Sequence, residues 1–126
     1  MLPSGNPANA NSGTPPCAWY PATDVVETDK DYVALLELPG INKQSITVDL
    51  KDDSTLLVSG DLPDPDWYKD ATHVFVKERV TGKFARAIPL PAGHFDPEGI
   101  TAHMQDGLLE VRVAKSAPIV KRIDVA

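Results

Sequence analysis

Ile100-Thr-Ala-His-Met-Gln-Asp-Gly-Leu-Leu-Glu-Val-Arg-Val113 is the stretch whose periodicity decides the fold. Ile100, Ala102 and Met104 alternate with Thr101, His103 and Gln105, and after Asp106-Gly107 the residues Leu109, Val111 and Val113 alternate with Glu110 and Arg112. Period-two alternation puts apolar side chains on one face of a strand and polar ones on the other. Asp-Gly between two such runs is a two-residue hairpin turn, since both central positions need positive φ. Working outward, residues 83–90, 55–59 and 45–50 read as further strands; Ile46, Val48 and Leu50 face a core and Ser45, Thr47 and Asp49 face water. Residues 32–38 are apolar on both faces as far as Glu37, which predicts a strand covered on both sides, and it stops at the turn pair Pro39-Gly40. Residues 72–80 read as one more strand, reversing tightly through Thr81-Gly82. About seven short strands without a helical period predict an all-β, immunoglobulin-like β-sandwich.

Composition narrows the function. The chain has 126 residues, enough for one domain, and its 12 prolines disfavour helix interiors and central strands. Its 12 Lys and Arg against 18 Asp and Glu give a net charge of −6, with no basic stripe to release counterions, so no nucleic-acid partner is expected. No stretch is long and apolar enough to span a membrane, and the N-terminus lacks the basic and apolar regions of an export signal. The lone Cys17 has no disulfide or zinc partner, which suits a reducing, cytoplasmic setting. The organisation expected is a flexible arm over residues 1–18 that is polar and rich in Pro, Asn, Gly and Ser, a domain over 19–115, and a C-terminal extension over 116–126.

Enzyme chemistry finds no footing. His73, His94 and His103 are scattered without metal-ligand spacing, and no nucleophile stands beside a base. Asp64 and Asp66, like Asp52-Asp53, lack the continuation that a calcium loop needs and read as solvated turn residues. Neither a metal nor a cofactor is expected. Two features point instead to assembly. Arg86 shares a strand face with Phe84, Ile88 and Leu90, so its guanidinium either snorkels to solvent or pairs with an acid at a subunit interface. Pro89 marks that strand as an edge open to another chain. At the C-terminus Ile123 and Val125 project to one side of an extended peptide, either as a strand of the same domain or as anchors for a neighbouring strand edge.

In order along the chain these elements resemble the small heat-shock proteins, built on the α-crystallin domain. The resemblance runs from Trp19 to Val125: Trp19 and Pro21 with Asp24 and Glu27; Glu37-Leu38-Pro39-Gly40; Leu56-Leu57-Val58-Ser59-Gly60; Glu78-Arg79, Gly82, Phe84 and Arg86; Leu90-Pro91; Asp96-Pro97 with Ile100; and Ala102 followed by Gly107-Leu108-Leu109. It implies an ATP-independent holdase, without enzymatic activity, that keeps partly unfolded client proteins from aggregating. It also implies a homodimer as building block. In bacterial and plant members the connection after the Leu-x-Val-x-Gly strand carries a strand swapped into the partner, which would dock residues 61–71 with Trp67 and Tyr68 and place Arg86 at the dimer interface. Ile123 and Val125 would join dimers into larger oligomers. The arm is shorter and more polar than is usual in the family, which speaks against large cages, and Pro89 and Ala114 depart from the usual basic residue and proline. The competing reading is a β-sandwich co-chaperone or adaptor of the p23 type that binds one defined partner and needs neither the swap loop nor Ile123-x-Val125.

Overall fold

The computed structural model describes residues 14–116 and 122–126. Seven strands form: β1 (Thr23–Glu27), β2 (Asp31–Glu37), β3 (Thr47–Lys51), β4 (Thr55–Leu62), β5 (Gly82–Pro89), β6 (Phe95–Gln105) and β7 (Leu108–Lys115). They make two antiparallel sheets, one ordered β1-β2-β7-β6 and the other β3-β4-β5. This is the all-β sandwich that the alternation predicts.

The decisive hairpin forms as read. Gln105 pairs with Leu108, and between them Asp106 and Gly107 take φ of 53° and 78°, the positive pair that lets a two-residue turn follow the strands' right-handed twist. A Cβ on Gly107 would sit 3.2 Å from Pro39 Cα. The two turns also touch through the backbone, where Leu38 N–H donates to the Gly107 carbonyl at 2.7 Å. Leu38-Pro39-Gly40 and Gly107 are thus two halves of one corner, with Gly40 likewise at positive φ.

The core lies between the sheets. Leu36, Leu38, Leu56, Val58, Ile88, Val111 and Val113 are sealed from solvent, with Phe84, Phe95 and Leu109 nearly so. Trp19 covers Phe84, ring centroids 5.0 Å apart, and donates its indole N–H to the Gly82 carbonyl at 3.0 Å, so its polar edge is satisfied where its apolar body is buried. Ile46, Val48 and Leu50 pack against the core only half-buried, because β3 is an edge strand. A smaller cluster of Leu57, Ala85 and Ala87, with Cys17 against it, lies on the opposite face of the three-stranded sheet.

Three sequence expectations need correction. Residues 72–80 form no strand and pair with nothing to make a sheet. Alternation gives them a strand's side-chain pattern, but a strand needs a neighbour for its backbone groups, and a single chain offers none within reach. The strand from Asp31 to Glu37 is covered on its outer face at Val33 but not at Leu35, which is exposed. And β5 is an edge strand, as Pro89 suggests, but not an open one: Ala18 N–H donates to the Lys83 carbonyl at 2.9 Å, Trp19 bridges to Phe84, and the Ala87 amide donates to Thr14 Oγ at 3.0 Å. Thr14 to Ala18, assigned from sequence to the flexible arm, therefore run along β5; residues 1–13 lie outside the described part.

Candidate interaction surfaces

The structure places the sequence-predicted site residues on three separate surfaces. The first is the connection between β4 and β5. After Leu62 the chain passes two prolines into a short 3-10 turn, Asp66–Asp70, which carries Trp67 and Tyr68 with ring centroids 4.5 Å apart. Lys77 returns to this turn, its Nζ 3.1 Å from Asp64 Oδ1 and 4.8 Å above the Tyr68 ring. The donated hydrogen bond from Lys77 holds the Asp64 carboxyl below its ordinary range. Beyond the turn, apolar side chains face water: Trp67 is 65% exposed, Val74 66%, Phe75 92% and Val76 73%. An isolated exposed valine needs no explanation, but a contiguous run around a fully exposed phenylalanine marks a surface meant for contact.

Missed in the sequence is β1. Thr-Asp-Val-Val-Glu is too short and too polar for periodicity to single out, yet it pairs along its length with β2, Val25 opposite Ala34 and Val26 opposite Val33. No described strand pairs with its other edge, and Val25 and Val26 are 49% and 54% exposed. Val25 stands at the mouth of a narrow cleft between the sheets that it shares with Ala34, Leu56, Ile88, Leu90 and Val113. That cleft puts β1 over β5, and the order of the sheets then puts β6 over β3.

Arg86 is the second surface. It lies on the core-facing side of β5, opposite Val58, donates to the Pro21 carbonyl at 3.4 Å and stands 5.7 Å from the Tyr20 ring centre. Its Nε and the Tyr20 hydroxyl are both buried with no hydrogen-bond partner among the described residues. Arg86 as a whole is half-buried, and no carboxylate among the described residues pairs with its guanidinium; a buried donor such as its Nε is costly to leave without a partner. Close by, Trp19, Pro21, Glu37, Leu62, Arg79 and Val80 line a cavity of about 500 Å³.

The third surface joins the remaining candidates. Ile123 and Val125 are 77% and 97% exposed and belong to no strand, which removes the alternative of one more strand within this chain's sheets. The unpaired edges of β3 and β6 show half-buried apolar residues, Ile46, Val48 and Leu50 on one side, Ile100 and Met104 on the other, with Ala102 exposed between the last two. The motif residues Leu38, Phe84 and Leu109 are core, and Pro39, Gly40 and Gly107 build the corner described above. His73, His94 and His103 are exposed, and among the described residues no three His, Cys, Asp or Glu side chains gather to hold a metal. No helix among the described residues is long and apolar enough to cross a membrane.

Two unequal sheets, a long exposed connection and the exposed apolar pair Ile123 and Val125 define the class: an α-crystallin-domain sandwich with unpaired edges. Comparison with known proteins agrees. The profile of the Hsp20/alpha crystallin family matches residues 24–126, and the chain belongs to this family of non-enzymatic stress proteins. It is 36% identical over 95 residues to small heat shock protein C4 of Rickettsia felis, covering 75% of this chain and 56% of that one. It is 38% identical over 96 residues to the 18.8 kDa class II heat shock protein of Ipomoea nil, covering 75% and 57%. The chain thus spans rather more than half the length of these relatives. Among solved structures, a small heat-shock protein from Xylella fastidiosa, described as having a distinct high order structure, superposes with a TM-score of 0.72 at 30% identity over 86% of this chain and 97% of that one. Heat shock protein 16.0 from Schizosaccharomyces pombe gives 0.69 at 28% identity over 85% and 98%.

Proposed function

We propose that this protein is an ATP-independent holdase that binds partly unfolded proteins and suppresses their aggregation, working as a homodimer that assembles further through its C-terminal tail. The observation that carries the reading is that the apolar run from Val74 to Val76 is exposed and unpaired while no described strand pairs with the free edge of β1. A chain that leaves both a strand-patterned segment and a strand edge uncompleted is built to complete them with a second copy. Exchange of residues 72–80 carries the 61–71 connection, with Trp67 and Tyr68, onto the partner, and a partner carboxylate supplies the acid that Arg86 lacks. Ile123 and Val125 fill the half-open groove between β3 and β6 of a neighbouring dimer. Clients bind apolar surface that is uncovered whenever these edges release, which needs neither a nucleotide nor a fixed pocket. A reducing cytoplasm is the setting that the lone cysteine supports.

The experiment is light scattering of a heat-labile enzyme warmed with and without the protein in the absence of ATP. Suppression at near-stoichiometric ratios is expected; unchanged scattering while the protein remains folded would move the function to a dedicated adaptor. Arg86→Ala is expected to shift the dimer toward monomer at low micromolar concentration. An unchanged sedimentation profile would remove Arg86 from the interface.

A further inference from the structure

The exchange proposed above leaves open which face of residues 72–80 turns inward and how the strand registers against β1; this inference rests on that reading and sharpens it. The segment has two faces. Val74, Val76 and Glu78 share one, and His73, Phe75, Lys77 and Arg79 share the other. The β1 edge also has two sides: Thr23, Val25 and Glu27 face the inter-sheet cleft, while Asp24 and Val26 face outward in line with Leu35 and Val33 of β2.

Three observations select one arrangement. The cleft at Val25 is too narrow for an aromatic ring, so a valine caps it better than Phe75. Arg86, with its Nε buried and unpartnered, lies beside Pro21, just ahead of Thr23. The face turned inward must not add cations there; one face carries Lys77 and Arg79, the other carries Glu78, the sole acid in 72–80. Bringing Glu78 to the Pro21 end of β1 makes the pairing antiparallel. Within that orientation the register with Val76 opposite Val25 also sets Phe75 opposite Val26 and Lys77 opposite Asp24. A slip by two in one direction sets Phe75 against Asp24; a slip in the other carries Phe75 past the end of β1, to Thr28.

We propose that the second copy's Phe75 packs on the outward face of β1, over Val26 in the row that continues to Val33, with the second copy's Lys77 opposite Asp24. The exposed apolar end of the outer face at β1 is thereby covered across the dimer. Val26 is 54% exposed in the single chain, and Phe75, directly opposite it, covers it. Lys77 leaves its exposed partner Asp64 for Asp24, one surface ion pair replacing another, so the ring burial decides the balance.

The test uses the full chain with Cys17→Ser as background. In Phe75→Cys/Val26→Cys, oxidation is expected to give a covalent dimer, because directly opposed Cβ atoms lie within disulfide reach. Phe75→Cys/Val25→Cys is expected to remain uncross-linked. Since Phe75 is solvent-exposed in the single chain, its replacement leaves folding intact. A second measurement needs no cysteine: Lys77→Asp is expected to weaken dimerisation by roughly threefold, and Lys77→Asp/Asp24→Lys to restore it, the coupling of one cross-strand charge pair. Cross-linking through Val25 in place of Val26, or no rescue by the double charge reversal in a protein that is still dimeric, overturns the register. A wild-type protein that sediments as a monomer at tens of micromolar overturns the exchange itself, so the two failures are distinguishable.

Discussion

Gly60→Ala tests how closely β5 and the turn before β3 pack on the end of β4. Gly60 pairs directly with Phe84 across β4 and β5, and the ring lies over the bare backbone. A Cβ added there would stand 2.5 Å from the Ser45 carbonyl oxygen, 2.6 Å from Phe84 Cζ and 2.8 Å from Phe84 Cε1. All three are well inside van der Waals contact, and the nearest is backbone, which cannot rotate away. Phe84 cannot yield easily either, because it is 2% exposed and Trp19 packs on it, ring centroids 5.0 Å apart. Overpacking of this kind costs about 1–3 kcal/mol, and for a domain of this size each kcal/mol lowers Tm by roughly 4–8 °C. The expected result is a fall in Tm of about 8–16 °C for a central cost of about 2 kcal/mol, read by circular dichroism or calorimetry. Combining Gly60→Ala with Phe84→Leu removes the ring from the clash but leaves Ser45. The double variant should therefore be more stable than the sum of the single effects predicts, by on the order of 1 kcal/mol in a double-mutant cycle. A Gly60→Ala protein that melts within a degree of wild type would refute the close approach.

Three further outcomes follow from the same geometry. Asp64 has a folded pKa depressed below its ordinary value of 3.8, chiefly by the hydrogen bond from Lys77; the contact is thus present above that value and lost as pH falls through the folded pKa. In the single chain, at concentrations below dimer formation, Lys77→Ala should raise the carboxyl midpoint toward the ordinary range in a pH titration, and an unmoved midpoint there would contradict the pairing. Gly107→Ala, at φ of 78° with Pro39 Cα 3.2 Å from the new methyl, should cost about 1–2 kcal/mol from the left-handed backbone alone, measured by urea unfolding; a change below about 0.5 kcal/mol would contradict it. Deleting residues 119–126 should lower oligomer mass in light scattering yet leave the dimer, and identical assembly with and without the tail would remove Ile123 and Val125 from docking.

Most of the sandwich was legible because alternation is a local property. Leu109, Val111 and Val113 face the core for the same reason that they alternate, and Asp106-Gly107 turns because the pair tolerates positive φ. Residues 72–80 show where that logic stops: the pattern is right for a strand, but pairing is not local, and the neighbour is not in this chain. The strand β1 shows the converse, since Thr23–Glu27 is defined by the partner it pairs with, β2, more than by its own residues. Arg86 could be singled out as a charge on an apolar face, yet its unpartnered Nε beside Tyr20 and Pro21 is visible only once the segment before β1 is folded over β5. The path of Thr14 to Ala18 along β5 was not legible at all, because its hydrogen bonds go to backbone groups of β5, which every sequence presents alike.

The central claim is that residues 72–80 are completed by a second copy of this chain, and amide hydrogen exchange of the full protein at two concentrations tests it most directly. The account predicts that amides from His73 to Glu78 and those on the free edge of β1 are protected together at high concentration and lose that protection together on dilution, while β2 and β7 stay protected throughout. Fast exchange of residues 72–80 at every concentration, in a protein whose mass is that of a dimer, would contradict it.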